Sequence, residues 1–336
     1  MDESKNQKEK KRKLETRISL TPVSIDSNTH QFENGRRFHG YRGGAYMYPN
    51  DEKEQDRLDI YHKMFLVARQ EELHRAPITR NYSPPRILDL GTGTGIWAID
   101  MADKYPDAEV IGIDLSLIQP KWIPRNLRFQ ISDFESEWTL GKDSFDLIHL
   151  RAGCGSVSSW PTLFRRAFEH LKPGYGWIEY IDIDIQARSD DGTLTTTHAL
   201  YQWQQYLLET TERAGKPLRY EARTGQLLRE AGFVDVQEVV LKLPLSPWPS
   251  DPYLKDCGRW YNLGLSEALE GYTLAPMTRV GGWSVDDVKN LLGPVQKDIN
   301  NRQIHAYSDM HIWIARRPDW GVEDKKISGM KRAVTK

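Results

Sequence analysis

The sequence predicts an α/β protein with a largely parallel β-sheet and helices on both faces of that sheet. From residue 86 onward, short apolar runs alternate with helix-like segments, and this alternation is typical of βαβ units. The first run, ILDL at 87–90, is followed by three glycines at alternate positions and then by a helical pattern. A glycine loop between a strand and a helix favours an anionic or nucleotide ligand, because the helix start exposes backbone N–H groups.

Seven strands and several helices are predicted in the segment that begins at residue 86. Apolar runs bounded by turn residues predict strands at 86–90, 109–114, 127–132, 145–150, 177–185, 233–241 and 307–315. Apolar residues at helical spacing predict helices at 95–105, 160–171 and 200–213, and a further helix that ends at residue 232. Together these elements supply one sheet and the helices that cover it.

The two ends of the chain differ in character from its middle. Residues 1–33 and 319–336 are polar and basic, with almost no apolar periodicity, and predict disordered tails. The run KEKKRK at 8–13 fits a nuclear import signal and a solvated tail equally well, so both interpretations stay open. Residues 34–85 predict a helical lid or extension, since acidic residues cluster at 51–56, where they favour the dipole of a helix start.

The predicted main domain spans residues 86–318 and contains two helical insertions. These insertions lie at about 189–215 and 244–302, where the alternation of strands and helices is interrupted. In the second insertion, Ser284 and Asp287 have the spacing of a helix-capping pair. Because insertions on a fixed scaffold often carry substrate specificity, these two segments are candidates for that role.

Composition and charge argue against several classes of function. The formal net charge is -1 and the pI is near 6.8, so direct nucleic-acid binding is not expected of the molecule as a whole. Cys154 and Cys257 form no CxxC pair, so neither a disulfide framework nor a metal site is predicted. No run approaches the ~20 apolar residues of a membrane span, and we expect a soluble intracellular protein.

The residues around the glycine loop indicate which nucleotide it would bind. A dinucleotide site needs G-x-G-x-x-G, and Ile96 stands where the third glycine would be. Asp89 precedes the loop, and its carboxylate would repel a pyrophosphate but suit the methionyl ammonium of S-adenosylmethionine, directly or through water. The loop therefore favours a methyl donor over NAD, with a tight turn that binds no ligand as the alternative. The loop glycines are Gly91, Gly93 and Gly95.

Two further strand ends fit the same cofactor. Asp114 ends the second predicted strand, followed by Leu115, and a carboxylate there accepts hydrogen bonds from ribose hydroxyls. Asp133 follows the third strand and can accept from the adenine amino group, while the ring of Phe134 can lie against the adenine face. Three acidic positions in this order and at these intervals form a stronger joint signal than the glycine loop alone.

These residues, and longer blocks of sequence, resemble a known group of proteins. The glycine loop and its acidic companions are similar to those of class I, Rossmann-like methyltransferases. Over residues 33–318 the chain resembles the LaeA-like methyltransferases of filamentous fungi. The blocks that carry the resemblance are HGYR at 39–42, DEKEQDRLDIYHKMF at 51–65, ILDLGTGTGIWAIDMADKYP at 87–106, DFESEW at 133–138, SWPTLFRRAFEHLKPG at 159–174, RWYNL at 259–263 and HIWIARRPD at 311–319.

The resemblance implies a fold, a cofactor and a cellular role. The fold would be a mostly parallel seven-stranded sheet with an antiparallel last strand, and the cofactor would be S-adenosylmethionine. The role would be regulation of secondary metabolism and development, including sporulation, together with velvet-domain proteins in the nucleus or shuttling to the cytoplasm. Family members carry methionines in the stretch that here reads HLRAGCGSVSSW at 149–160, and some methylate their own methionine. This chain has no methionine between Met101 and Met277, which argues against self-methylation in that loop.

The residues leave the methyl acceptor open. His149, Tyr180 and Tyr261 are candidate catalytic residues, and each is equally typical of a packed side chain. Because methyl transfer from a sulfonium depends mainly on positioning, a general base is optional. We therefore predict a methyltransferase that acts on protein. The alternatives are a cofactor-binding regulatory scaffold with little or no turnover and a small-molecule methyltransferase of a biosynthetic pathway.

Overall fold

The computed structural model describes residues 30–40, 46–78 and 83–319. The predicted tails fall almost entirely outside the described residues, and with them the basic run at 8–13. The strands are β1 Gln31–Glu33, β2 Arg36–Phe38, β3 Arg86–Leu90, β4 Glu109–Asp114, β5 Leu127–Ile131, β6 Leu147–Arg151, β7 Trp177–Ile183, β8 Val234–Pro244 and β9 Tyr307–Arg316. The helices are α1 Glu52–Ala68, α2 Ile96–Lys104, α3 Trp160–His170, α4 Ala199–Arg213, α5 Thr224–Glu230, α6 Pro252–Ala275 and α7 Val285–Asn300, with a π-helix at Pro276–Gly281.

Seven strands form one mixed sheet in the order β5-β4-β3-β6-β7-β9-β8. The neighbours from β5 to β7 pair in parallel, whereas β9 runs antiparallel to both β7 and β8. This arrangement confirms the predicted α/β fold with a mostly parallel sheet and an antiparallel last strand. Since β3 lies between β4 and β6, the glycine loop that follows it sits centrally at the carboxyl edge of the parallel strands, where such sheets bind ligands.

The central strand is buried on both of its faces. Ile87, Leu88 and Leu90 are each at most 1% exposed. Ile87 packs into one hydrophobic cluster, with Trp97 of α2, while Leu88 and Leu90 pack into another on the opposite face. Burial on both faces explains why the sequence of this strand is largely a continuous apolar run and not an alternation of apolar and polar residues.

The N-terminal extension consists of the β1–β2 hairpin and helix α1. Strand β1 lies inside the stretch 1–33 that was predicted to be disordered, so the structured part begins before the predicted boundary. A strand of three residues is too short to produce a readable periodicity. Asp51 joins the hairpin to the helix, because its Oδ1 accepts the N–H of Glu54 at 3.0 Å and its Oδ2 accepts Nε–H of Arg36 at 2.6 Å.

Helices fill both segments where insertions were predicted. Helix α4 lies in the first, and α6, the π-helix and α7 lie in the second. The Ser284–Asp287 capping box is confirmed, since each side chain accepts the backbone N–H of the other. Helix α6 packs along α1, and the contact is close: a Cβ on Gly264 would lie 2.6 Å from the ring of Tyr61. Neither these helices nor the others in the described ranges are long and apolar enough to cross a membrane.

Three strands have an end that differs from the prediction by two residues or more. Strand β8 runs to Pro244, three residues beyond its predicted end, because it stays paired with β9 as far as Tyr307. Strand β6 begins at Leu147 instead of residue 145, since Phe145 forms only an isolated bridge with Leu171. Strand β7 ends at Ile183, two residues before its predicted end.

Candidate active site

The loop between β3 and α2 depends on its glycines. Their φ angles are +65° at Gly91, +57° at Gly93 and +80° at Gly95. Residues with a Cβ rarely adopt these angles. At Gly95 the space is also closed, because an added Cβ would lie 2.3 Å from Cζ of Phe129 on β5. The backbone therefore turns tightly and enters α2 at once, which leaves the outer side of the loop open to a ligand.

Asp114 lies beside the loop at the end of β4. Its Oδ2 accepts the N–H of Gly93 at 2.8 Å, and its Oδ1 accepts the N–H of Ser116 at 2.9 Å. Burial raises the pKa of this carboxyl to about 6, although the backbone donors of Gly93, Ser116 and Leu115 oppose the shift. Each oxygen keeps a second lone pair, so the ionised group can still accept hydrogen bonds from ligand hydroxyls.

Asp133 and Phe134 follow β5 and form the next part of the same wall. Oδ1 of Asp133 accepts the N–H of Glu135 at 2.8 Å, and its Oδ2 accepts the hydroxyl of Ser136 at 3.1 Å. These bonds close a tight turn that holds Phe134 against the glycine loop. A Cβ on Gly91 would lie 3.4 Å from Cε1 of that ring. A flat aromatic face and a carboxylate thus lie together, as an adenine site requires.

Asp89 lies behind the loop and not on the ligand side. Its Oδ1 is 2.8 Å from Nδ1 of His149, and its Oδ2 accepts the hydroxyl of Thr92 at 2.6 Å. The residue is 4% exposed and does not border the cavity described below. The carboxylate therefore supports the loop from behind, and its contact with a methionyl ammonium, directly or through water, stays a prediction.

His149 is likewise a buried packing residue. Its ring stacks on Trp97 with 3.6 Å between centroids and 6° between planes, and burial lowers its pKa. It does not border the cavity, so its candidacy as a catalytic base is not supported by the geometry. Within the described ranges its Nε2 has no hydrogen-bond partner.

A cavity of about 480 Å³ opens beside the glycine loop. This volume lies in the range of small-molecule and cofactor sites. Six of the eight predicted cofactor residues border it, the exceptions being Asp89 and Gly95, which lie behind the wall. We call the part of the cavity that they line the cofactor half. Its members are Gly91, Gly93, Asp114, Leu115, Asp133 and Phe134.

Most of the rest of the cavity, here called the acceptor half, combines five tyrosines with aliphatic and charged side chains. Its tyrosines come from the segment before α1, from α1 itself and from α6, and their rings meet edge to face. The ring centroids of Tyr48 and Tyr272 are 5.2 Å apart, and those of Tyr61 and Tyr261 are 6.4 Å apart. Apart from Tyr261, none of these tyrosines was predicted as a site residue. The set is Tyr46, Tyr48, Tyr61, Tyr261 and Tyr272.

Two buried carboxylates of the acceptor half already have partners. Oε1 of Glu54 accepts two hydrogen bonds from Arg57, at 2.7 and 3.0 Å, and the guanidinium lies over the ring of Tyr61. Asp182 accepts from the N–H of Cys154 at 2.8 Å and from the backbone of Ile183 at 2.9 Å. Burial raises the pKa of Asp182 and raises that of the Cys154 thiol well above its usual value.

The three predicted catalytic candidates occupy different places. Tyr180 is fully buried and donates its hydroxyl to Asp182 at 2.9 Å, and it does not border the cavity. Tyr261 does border it, but its hydroxyl donates to Oγ of Ser308 at 3.2 Å. His149 lies behind the wall, as described above. In the part of the chain that the structure covers, no group of three or more His, Cys, Asp or Glu side chains could hold a metal ion.

The fold and the cavity together define a class I, S-adenosylmethionine-dependent methyltransferase. A family profile described as a methyltransferase domain matches residues 61–238, which is more than half of the chain. The chain is 56% identical over 294 residues to the secondary metabolism regulator LAE1 of Cochliobolus heterostrophus, covering 87% of this chain and 96% of that protein. It belongs to the LaeA family of secondary metabolism regulators.

Two further relatives support this assignment. The secondary metabolism regulator laeA of Aspergillus flavus is 50% identical over 303 residues, which cover 89% of this chain and 81% of that protein. The protein-methionine methyltransferase laeA of Emericella nidulans is 47% identical over 306 residues, which cover 89% of this chain and 80% of that protein.

Solved structures with a similar fold are distant in sequence. A putative methyltransferase from an antibiotic biosynthesis pathway of Anabaena variabilis aligns with a TM-score of 0.48 at 17% identity, covering 76% of this chain and 98% of that one. A phosphoethanolamine N-methyltransferase of Haemonchus contortus in complex with S-adenosyl-L-methionine aligns with a TM-score of 0.46 at 16% identity, covering 77% and 53% respectively.

Proposed function

We propose that this protein transfers a methyl group from S-adenosylmethionine to the thioether sulfur of a methionine in another protein. We further propose that it does so as a nuclear regulator of secondary metabolism and development, in complex with velvet-domain partners. The relative from Emericella nidulans, whose name specifies protein methionine as the acceptor, supports the first part. The basic run at 8–13 supports a nuclear location.

The residues of the cofactor half fit S-adenosylmethionine. The glycine loop accommodates the close approach of a ligand to its backbone, Asp114 would accept from the ribose hydroxyls, and Phe134 would contact the adenine face. When bound, the cofactor supplies a methyl group that is activated by its attachment to a sulfonium. The chain's own contribution is then to hold the acceptor in line with that methyl and to exclude water.

The observation that carries the proposal is the absence, among the described residues of the acceptor half, of a side chain placed to take a proton. The Glu54 carboxylate is paired with Arg57 and that of Glu135 with Lys216, while Asp182 accepts hydrogen bonds from backbone N–H groups and from the hydroxyl of Tyr180. Methylation of an amine or a hydroxyl has to release a proton. Methylation of a thioether forms one S–C bond while another breaks and conserves the charge, so no proton leaves.

The aromatic character of the acceptor half supports the same class of acceptor. Thioether sulfur makes favourable contacts with aromatic rings at about 5 Å. The sulfonium product carries a positive charge, which a tyrosine ring face turned to the cavity would stabilise. The rings of Tyr48 and Tyr272, whose centroids are 5.2 Å apart, both border the cavity that the cofactor half also lines.

The acceptor methionine is expected to come from outside the described part of this chain. Its described methionines are core residues or pack against other elements, and none of them borders the cavity. Met64, for example, is fully buried in the core. A second protein is therefore the expected source, which agrees with a regulator that works in complexes.

The test is transfer of a labelled methyl group to matched peptides. Synthetic peptides that tile a velvet-domain protein would each be made once with methionine and once with norleucine, which has the same shape without sulfur. We expect label in methionine peptides alone. Equal label in both forms, or label on lysine or arginine, would overturn the thioether assignment, and turnover with metabolites alone would favour a small-molecule enzyme.

Two variants complete the test. Gly93→Asp places a side chain in the cofactor half and should abolish both cofactor binding and transfer. If the regulatory function in cells survives in Gly93→Asp while cofactor binding is lost, the protein acts as a scaffold and the enzymatic proposal fails. Removal of residues 1–17 from a fluorescent fusion should redistribute it out of the nucleus, and an unchanged distribution would contradict the role of the basic run.

A further inference from the structure

The last residue of β6, Arg151, borders the cavity at the level of the glycine loop. Leu150 lies opposite Leu90 in the last pair that joins β6 to β3, so Arg151 and Gly91, the first loop glycine, each follow a member of that pair. Adjacent strands are about 4.8 Å apart, which places the start of the Arg151 side chain close to the loop backbone. The residues that fit adenine and ribose lie on the other side of the loop, at the ends of β5 and β4.

Arg151 differs from the other cations that line the cavity. Arg57 is paired with Glu54, and Lys216 with Glu135. Within the described ranges Arg151 has no carboxylate within 4.0 Å, although Asp89 and Asp100 attract it from farther away. Burial lowers its pKa to about 10, so the group remains charged near neutral pH. A charged guanidinium that borders a cavity without an ionic partner is costly unless a ligand supplies the opposite charge.

The orientation of the guanidinium is set by helix α1. Nε2 of His62 is 2.9 Å from Oδ2 of Asp100, and its Nδ1 is 3.2 Å from Nη1 of Arg151. Burial lowers the pKa of His62, so the ring is neutral, with the proton on Nε2 and a lone pair on Nδ1 that accepts from Arg151. The guanidinium lies over the ring of Phe65 at 4.6 Å, which fixes its plane and leaves its other N–H groups for a ligand.

We propose that Arg151 binds the α-carboxylate of the methionyl part of the cofactor and that α1, through His62 and Phe65, holds it in position to do so. This inference rests on the proposed methyltransferase function and adds a residue that the glycine-loop pattern does not contain. A guanidinium matches a carboxylate in charge and in planar shape, and the sheet order puts the methionyl end on the β6 side of the loop.

The test compares ligands that differ only in the carboxylate. Binding of S-adenosylhomocysteine and of its decarboxylated analogue, 5′-deoxy-5′-(3-aminopropylthio)adenosine, would be measured by calorimetry on the full chain. In the unmodified protein we expect S-adenosylhomocysteine to bind about 10- to 100-fold more tightly, as for a hydrogen-bonded charged pair. In Arg151→Met the ratio of the two affinities, S-adenosylhomocysteine over its decarboxylated analogue, should fall to about 1–3. A wild-type ratio near one, or a ratio that persists in Arg151→Met, would overturn the proposal.

Two more variants keep the result interpretable. Lys216→Met removes a cavity cation that is already paired, and it should leave the ratio between the two ligands as in the unmodified protein; a collapse there too would overturn the specific assignment. If Arg151→Met does not fold, Arg151→Lys can replace it, because lysine keeps the positive charge but lacks the planar pair of N–H donors. This variant should lower the ratio of the two ligand affinities several-fold. An unchanged ratio would again contradict the proposal. Failure of the unmodified protein to bind either ligand would instead contradict the methyltransferase function itself.

Discussion

Oδ1 of Asp89 lies 2.8 Å from Nδ1 of His149, and the two residues are direct neighbours in the parallel pairing of β3 with β6. The other oxygen of Asp89 accepts the hydroxyl of Thr92, at the first turn of the glycine loop. A single buried carboxylate thus connects two central strands to the loop that follows one of them. Its role is to hold the loop in shape from behind.

Asp89→Asn is expected to lower the free energy of unfolding by ~2 kcal/mol, because an amide oxygen replaces only one of the two acceptors and leaves a buried donor unpaired. Urea unfolding followed by tryptophan fluorescence measures the change. The pair of Thr94 and Asp59 offers a matched control, since the same hydroxyl-to-carboxylate bond, at 2.7 Å, lies at the surface. Asp59→Asn should cost less than ~0.5 kcal/mol. Equal losses in the two variants would contradict a special role for burial.

The fold and the cofactor half could be predicted because their signals are local in the sequence. Each buried strand is a short apolar run between turn residues, and the periodicity changes at the glycine loop. Asp114 and Asp133 follow such runs, so their meeting at one edge follows from the strand order alone. What local pattern does not reveal is which side of the loop a carboxylate faces, so the support that Asp89 gives the loop through Thr92 and His149 was not expected.

Apart from Tyr261, the tyrosines of the acceptor half could not be predicted, because distant segments assemble it. Tyr48 precedes α1 and Tyr272 lies near the end of α6, yet their ring centroids are 5.2 Å apart. Only the packing of α1 along α6 brings them together, and that packing depends on close approaches such as Gly264 against the ring of Tyr61. In the sequence, aromatic residues at helical spacing indicate a core, and nothing local distinguishes a core face from the wall of a cavity.

Gly95→Ala should destabilise the protein much more than Gly35→Ala. The two glycines have nearly the same φ, +80° and +79°, so the backbone strain of the substitution is matched. At Gly35 a Cβ meets nothing within 4 Å, whereas at Gly95 it would meet the ring of Phe129. We expect a loss of ~1 kcal/mol at Gly35 and a further ~2–3 kcal/mol at Gly95 from overpacking. Chemical unfolding of both variants measures the loss in the free energy of unfolding. Similar losses would show that backbone strain alone is responsible and that overpacking adds nothing.

Glu179 of β7 connects the N-terminal extension to the sheet. Glu179→Gln should lower the free energy of unfolding by ~3 kcal/mol, because it leaves the buried charge of Arg69 without its partner. Its Oε1 accepts from Arg69 at 2.6 Å, and its Oε2 accepts the backbone N–H groups of Arg75 and Ala76 at 2.6 and 2.7 Å. Glu72→Gln is the control, since Glu72 pairs with Arg75 at the surface. That variant should change stability by less than ~0.5 kcal/mol in the same unfolding experiment. A small effect at Glu179 would mean that the extension is held by its other contacts.

Cofactor affinity is expected to rise with pH through the titration of Asp114. Burial raises the pKa of this carboxyl to about 6 from an ordinary value of 3.8, so the folded protein binds more protons and its stability falls as pH rises between these values. Ligand hydroxyls donate to the ionised form, so affinity for S-adenosylhomocysteine should fall up to about tenfold per pH unit below this pKa and level off above pH ~7. Calorimetry at several pH values on both sides of this pKa measures the affinity. Asp114→Asn should bind weakly with a flat profile, and an unchanged slope in that variant would contradict the assignment.

Tyr261→Phe should leave methyl transfer within about threefold of the unmodified rate, because transfer to a thioether requires no base. The hydroxyl of Tyr261 donates to Ser308, and burial raises its pKa far above neutrality, which makes proton abstraction there unfavourable. Under the same mechanism kcat should be independent of pH from about pH 7 to 9.

Tyr180→Phe serves as the comparison: it removes the bond to Asp182 and should cost ~1 kcal/mol of stability without changing the pH profile. Single-turnover assays with a methionine peptide measure the rate of transfer, and steady-state assays with the same peptide measure kcat. If kcat rises with pH in the unmodified protein and this rise disappears in Tyr261→Phe, then Tyr261 is a base, the acceptor loses a proton, and the thioether assignment is wrong.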